Sequence, residues 1–262
     1  MDLPQLLLIT FVAALITDLA TGLGAVPFFF MRTIPERLSG VLLATGAGMM
    51  TIASIYQLLD EAGTRAPGWG IWQVGMGLAL GAGFFMWASH WIESHEKFDI
   101  GNLRESGGTG AILIVMAMTI HSLPEGVAIG VAYGSGEAGF GLAVAMALAV
   151  HNIPEGIAIT AALRGRGAST LACMGWAIFS SIPQPLAAPP AAWLVWLFAP
   201  LLPAGLGFAA GAMMFLVAAE LIPEATKKSG KNWAAAGFTA GLVAMLLLAR
   251  VANIWGGGVG GT

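Results

Sequence analysis

The sequence predicts an all-α, polytopic membrane protein with eight transmembrane helices in one integral membrane domain over residues 1–262, and three observations carry that prediction. Only 10% of the 262 residues are charged while 57% are hydrophobic, against about 25% charged in an ordinary soluble domain. The mean hydropathy is +0.82. Apolar runs also recur at the length of about 20 residues that a helix needs to cross a bilayer. So little polar surface excludes an ordinary soluble enzyme and a disordered chain. The formal net charge of −3 supplies no basic field for nucleic acid or strongly anionic lipid. Cys173 is the single cysteine, so no internal disulfide, CxxC motif or Cys/His zinc pattern can form.

In chain order the runs are 3–31, 36–60, 69–93, 110–134, 138–163, 168–198, 202–226 and 232–254. The first follows Asp2 where a signal peptide would carry positive charge, and it is too long for a cleaved leader. It is therefore read as the first span. The long first and sixth runs are expected to include interfacial or broken helix. Trp69, Trp72, Trp91, Tyr133, Trp196 and Trp233 fall where membrane interfaces are expected. Nine of the eleven Lys and Arg lie in the loops 1–2, 3–4, 5–6 and 7–8: Arg32, Arg37, Lys97, Arg104, Arg164, Arg166, Lys227, Lys228 and Lys231. Only Arg65 and Arg250 lie on the other side. The positive-inside rule then places the basic loops in the cytoplasm and both termini outside.

The chain repeats itself. HSLPEGVAIG at 121–130 recurs as HNIPEGIAIT at 151–160. A shift of 163 residues carries Ala47, Gly48, Met50, Leu58, Glu61 and Ala62 of span two onto Ala210, Gly211, Met213, Leu221, Glu224 and Ala225 of span seven. Each comparison moves by an odd number of spans, so the copies cross the membrane in opposite directions. Inverted repeats mark transporters, with the substrate site near the midplane. Convergence of two apolar helices on small residues is the competing explanation for the second pair.

His121 and Glu125 in span four, like His151 and Glu155 in span five, are spaced i, i+4 and share one helix face. A charge at mid-bilayer costs about 2.5–3.5 kcal/mol on insertion scales. Two such faces are expected to meet each other and a cation. Two imidazoles and two carboxylates suit Zn²⁺, with Fe²⁺, Mn²⁺ and Cd²⁺-like ions as competitors. The alternative is that each Glu pairs with a His as polar glue between helices. Pro124 and Pro154 free the carbonyls of Ile120 and Val150, which predicts kinks beside a polar cavity. Gly126 and Gly156 would let another helix approach closely, or let the backbone unwind.

With these motifs, the sequence resembles the ZIP (Zrt/Irt-like protein) family of divalent-metal transporters, in its compact bacterial form. The likeness rests on GLGAVPFFF in span one, the doubled H-[SN]-x-P-E-G, and AGAMMFLVAAELIPEA in span seven. It implies a 3+2+3 inverted-repeat bundle, with Zn²⁺ and related ions (iron, manganese, cobalt, cadmium) carried toward the cytoplasm as substrate and no catalytic cofactor. The family's transport ligands map onto His121, Glu125, His151 and Glu155. Many members carry Asn after the first His and Glu in span six; here Ser122 and Gln184 stand there, while Asn152 is retained. One principal metal is therefore expected, with Ser122, Asn152 and Gln184 supporting its ligands or forming a weak second site. Pro183, Pro185, Pro189 and Pro190 are expected to break span six.

Glu220 and Glu224 in span seven, and Asp18 in span one, are candidates for an ion path, although a solvated helix end also explains Glu224 and its repeat partner Glu61. His90, Glu93, His95, Glu96 and Asp99 resemble a reduced form of the family's cytoplasmic histidine loop, or a plain hydrated charge cluster. Spans one, four, five and six, rich in Gly and Pro, are the expected moving body of an alternating-access cycle. A channel-like pore is the nearest rival function; an intramembrane zinc hydrolase is a more distant one, because H-E-x-x-H is absent. The remaining expectations are a multi-pass membrane location, which is the plasma (inner) membrane if the protein is bacterial, and contact with membrane lipid; a homodimer is one assembly open to it.

Overall fold

The computed structural model describes residues 1–31, 34–66, 68, 70–95, 108–164 and 167–255, and among them it has helices and no strand. Helix α1 (Leu3–Leu23) starts on Asp2, whose carboxylate accepts a hydrogen bond from the Gln5 amide at 2.9 Å. This satisfies one of the donors that a helix start leaves open. A short 3₁₀ turn, Val26–Phe29, follows. Helix α2 (Glu36–Ile52) passes through a π-turn at Ala53–Leu59 into α3 (Asp60–Thr64). Then come α4 (Gly70–His95), α5 (Gly108–Gly134) and α6 (Ala138–Arg164).

Helix α7 (Thr170–Ser181) is capped by Ser169 and gives way at Ile182 to α8 (Pro183–Leu197). The sixth run is thus broken where Pro183, lacking an N–H, cannot continue the preceding helix. Pro189 and Pro190, expected to add to the break, stand inside α8 instead. Helix α9 (Leu202–Leu216) enters a second π-turn, Val217–Leu221, and continues as α10 (Ile222–Ser229); α11 (Lys231–Trp255) closes the chain order.

Six of these segments are long and apolar enough to cross a membrane: Leu3–Phe29, Glu36–Thr64, Gly70–Trp91, Ala138–Arg164, Ala199–Ser229 and Lys231–Arg250. The two π-turns fall at equivalent places. A shift of 163 residues takes 53–59 onto 216–222, which contains the second π-turn, Val217–Leu221. The sequence likeness of the second and seventh runs is therefore matched by a shared backbone irregularity, and irregularities of this kind gather at functional sites.

The helices sort into two groups by packing. One joins α2 to α11 and α10, and α4 to α9; the other joins α5 to α8, and α1 to α6, α7 and α8. Lipid tails are as apolar as Leu, so membrane helices associate through close van der Waals fit at small residues. Within each group that fit is backbone on backbone at several glycines. A Cβ on Gly81 would lie 1.9 Å from the Phe208 carbonyl oxygen, and one on Gly130 would lie 2.1 Å from that of Ala188. Across the seam between the groups, where α5 meets α9 and α2 meets α6, glycines face side chains. Gly205 meets Val131 Cγ2 and Gly46 meets Pro154 Cβ. The closest backbone approaches thus lie within the groups, and the seam is filled by side chains.

Trp72, Trp91, Trp196 and Trp233 are exposed, as expected of interfacial rings, while Trp69 lies outside the described residues. Tyr133, one residue from the end of α5, is buried with its ring packed against Gly141 of α6.

Gly81→Val tests the locking. Overpacking costs about 1–3 kcal/mol, so the detergent-purified variant should melt several degrees below the parent, with less change for Gly83→Val, where nothing lies within 4 Å.

Candidate metal site

The motif residues meet inside the group formed by α1, α5, α6, α7 and α8. Glu125 on α5 and His151 and Glu155 on α6 are all buried, and each offers a ligand atom within 4.8 Å of the others. His151 Nε2 lies 2.9 Å from Glu125 Oε1 and 3.9 Å from Glu155 Oε2. Two ligands about 2.1 Å from a tetrahedral zinc ion stand about 3.4 Å apart, so the observed separations bracket that geometry. None of these approaches is an aligned hydrogen bond. Glu125 Oε1, both oxygens of Glu155 and both ring nitrogens of His151 have no hydrogen-bond partner. Buried carboxylates without partners are costly, and a divalent cation between them removes that cost.

The second oxygen of Glu125 is held differently. Gln184 on α8 donates from Nε2 to Glu125 Oε2. The orientation of that amide follows from a backbone group that cannot be turned around. Asn152 Nδ2 donates to the Thr17 carbonyl at 2.9 Å, an acceptor only, and to Gln184 Oε1 at 3.2 Å. Thr17 Oγ1 stands 2.7 Å from Gln184 Oε1 as well. With its oxygen turned to Asn152 and Thr17, Gln184 presents N–H to Glu125. Close helix approach makes the chain of contacts reachable. A Cβ on Gly126 would lie 2.5 Å from the Gln184 carbonyl oxygen, and one on Gly156 would lie 1.8 Å from that of Thr21. The expectation of close contact at these glycines holds, and α5 and α6 stay unbroken through Pro124 and Pro154.

His121, the fourth expected ligand, is not in the triad. Its Nε2 lies 3.1 Å from Glu220 Oε2 across the seam, and Ser89 Oγ donates to Glu220 Oε1 at 2.6 Å. The π-turn carries Glu220. Phe85 stacks beside the imidazole with ring centroids 5.0 Å apart. His121 nevertheless shares a cavity of about 20 Å³ with His151 and Glu155, lined also by Met50, Met118 and Pro154. That volume admits roughly one water-sized sphere. The expected polar cavity is thus small and mostly apolar-walled, because α2 and α9 close it with Leu43, Met50 and Leu216.

The other candidates disperse. Ser122 is buried and donates to the Met118 carbonyl at 3.2 Å along its own helix. Asp18 is buried on α1, with Oδ1 unpartnered. Glu224 pairs with Lys228 at 3.2 Å on the surface, and Glu61 pairs with Arg65. His90 is exposed; Glu96 and Asp99 lie outside the described residues, as do the side chains of Glu93 and His95. Thr17, Ser89 and Met50 escaped sequence reasoning. Met50 alone carried a signal, since it is one of the repeated positions.

Partners that hold a metal ligand in place are worth about 10–100-fold in affinity. Gln184→Leu, which removes the donor to Glu125 at similar volume, should weaken zinc binding by about that factor in a chelator competition, while Ser122→Ala stays near the parent.

The chain is similar to known proteins. Residues 88–249 match the family model described as ZIP Zinc transporter. Zinc transporter GufA of Myxococcus xanthus is 34% identical over 90% of this chain and 96% of its own length. Zinc transporter ZIPB of Bordetella bronchiseptica is 35% identical over 87% of this chain and 76% of its own. An Arabidopsis thaliana protein is 38% identical over 88% of this chain, which spans only 37% of that protein. On the breadth of these matches, the chain is an integral membrane protein that belongs to the ZIP zinc transporter family.

Proposed function

We propose that the chain is a secondary transporter that carries divalent metal ions, zinc foremost, toward the cytoplasm by alternating access. The observation that carries this reading is the convergence of Glu125, His151 and Glu155, with unpartnered ligand atoms, on one helix group beside a cavity at the seam. Two carboxylates and a divalent cation sum to a near-neutral core, which suits a loaded site at low dielectric. His121 faces the same cavity and serves as fourth ligand, or as the next station with Glu220, its partner across the seam. One metal is held at a time. Gln184 directs a donor, not a lone pair, toward Glu125; Asn152 donates to the Thr17 carbonyl while its own Oδ1 is unpartnered; and Ser122 turns to its own helix.

The fold that supports this cycle has eight spans in a 3+2+3 inverted repeat, with α5 and the broken pair α7 and α8 completing the six longer segments. The doubled H-x-x-P-E-G and the matched π-turns favour it. The basic loops then face the cytoplasm and both termini face outward. The group carrying the ligands is the moving body, a reading supported by the backbone-on-backbone approach of its helices at Gly126, Gly130 and Gly156. ZIP-family proteins are transporters and not enzymes, which removes the hydrolase reading.

Uptake of Zn²⁺ into proteoliposomes tests the proposal. Saturable, steeply temperature-dependent flux is expected for the parent and its loss for His151→Ala and Glu155→Ala; linear flux would favour a pore, and zinc bound without flux a sensor. Ligation needs neutral His and ionised Glu. Zinc affinity should therefore fall as pH drops from about 7.5 to 5.5, the range in which histidine titrates. A flat profile would contradict the ligand set.

A further inference from the structure

Arg65 follows α3 and lies between the second and third runs, a connection that the topology proposed above puts at the outer end. Its guanidinium grips Glu137 in a parallel fork, Nη1 to Oε1 at 2.9 Å and Nη2 to Oε2 at 2.7 Å. It also pairs with Glu61, one turn back on its own helix, and lies 5.2 Å from the centroid of the Phe140 ring. Glu137 sits in the turn between α5 and α6, so this fork joins the two helix groups across their seam. The hydrogen bond from Arg65 holds the Glu137 carboxyl below its ordinary range. Bidentate pairing of this kind is the strongest form of ion pair.

The two sides of the metal site differ. Between Glu125 and the Arg65 end, Ala128, Ile129 and Ala132 of α5, Leu58 of the π-turn and Leu206 of α9 form one packed, fully buried cluster. Toward the basic-loop end, the cavity lies between Leu43, Gly46, Met118 and Leu221. The seam is packed solid toward one end and holds a small cavity toward the other.

We propose that Glu61, Arg65 and Glu137 form a latch that holds the outer end of the seam shut, with Arg65 exchanging Glu137 for Glu61 alone when that end opens. This rests on the movement of the two groups proposed above. The helix-local partner gives the device its sense. Release of Glu137 leaves Arg65 still paired within its own helix, and the freed Glu137 carboxylate, in an exposed turn, is taken up by water. Glu137→Gln should favour the outward-open state, whereas Glu61→Gln, which removes a partner that Arg65 holds whether the fork is made or released, should not.

The test uses the full chain with Cys173→Ala and a reporter, Ala132→Cys, in the packed cluster; Ile129→Cys is a second reporter. The rate of labelling by a water-soluble thiol reagent is compared, with melting temperature as control. Glu137→Gln should label about two- to fivefold faster, the population shift that one exposed ion pair of up to about 1 kcal/mol allows. Glu61→Gln should label no faster than the parent. Unchanged labelling in Glu137→Gln, or equal acceleration in both variants, would overturn the latch, including the case in which both variants merely melt lower. The assay reads no flux. A chain that labels as expected but carries no zinc would therefore count against the transport reading and leave the latch intact.

Discussion

A carboxylate at membrane depth has no water to turn to, and Glu125 and Glu155 both face His151 in that setting. Much of the surrounding architecture answers that constraint. Glu125 receives one designated donor, Gln184, whose orientation is fixed through Asn152 by the Thr17 carbonyl. Glu155 receives none, and its oxygens are left for a cation. A fully hydrogen-bonded pair of glutamates would be inert polar glue; a wholly unpartnered pair would be expensive to bury. The observed division leaves Oε1 of Glu125 and both oxygens of Glu155 available while one ligand is kept in place.

The donor chain depends on backbone proximity. Gly126 lets α8 approach α5 and Gly156 lets α1 approach α6, and those contacts bring Gln184 and Thr17 within reach of the site. The same small-residue packing makes each helix group rigid. A carrier needs a rigid ligand set and a seam that can change partners, because the ion must keep its coordination while its access changes. Seam contacts such as Gly205 with Val131 can shift by side-chain rotation, which backbone contacts cannot. The polar pairs that cross the seam, His121 with Glu220 and Arg65 with Glu137, add orientation to that otherwise apolar surface.

Local order was legible in the sequence because it follows from periodicity and covalent geometry. Run length placed the helices. The i, i+4 spacing put imidazole and carboxylate on one face of α5 and of α6, and Pro183 marked the break between α7 and α8. The doubled motif singles out His121, Glu125, His151 and Glu155, of which the last three converge. What tertiary structure alone decided was the choice of partners. His121 pairs with a residue 99 positions away, Gln184 with one 59 away and Arg65 with one 72 away. Those pairings depend on how each helix is rotated and how closely it approaches its neighbour. Two features without periodic signal, the π-turn that carries Glu220 and the glycine contacts that set helix separation, fix that geometry. Sequence spacing determines which residues share a face; only packing determines what that face meets.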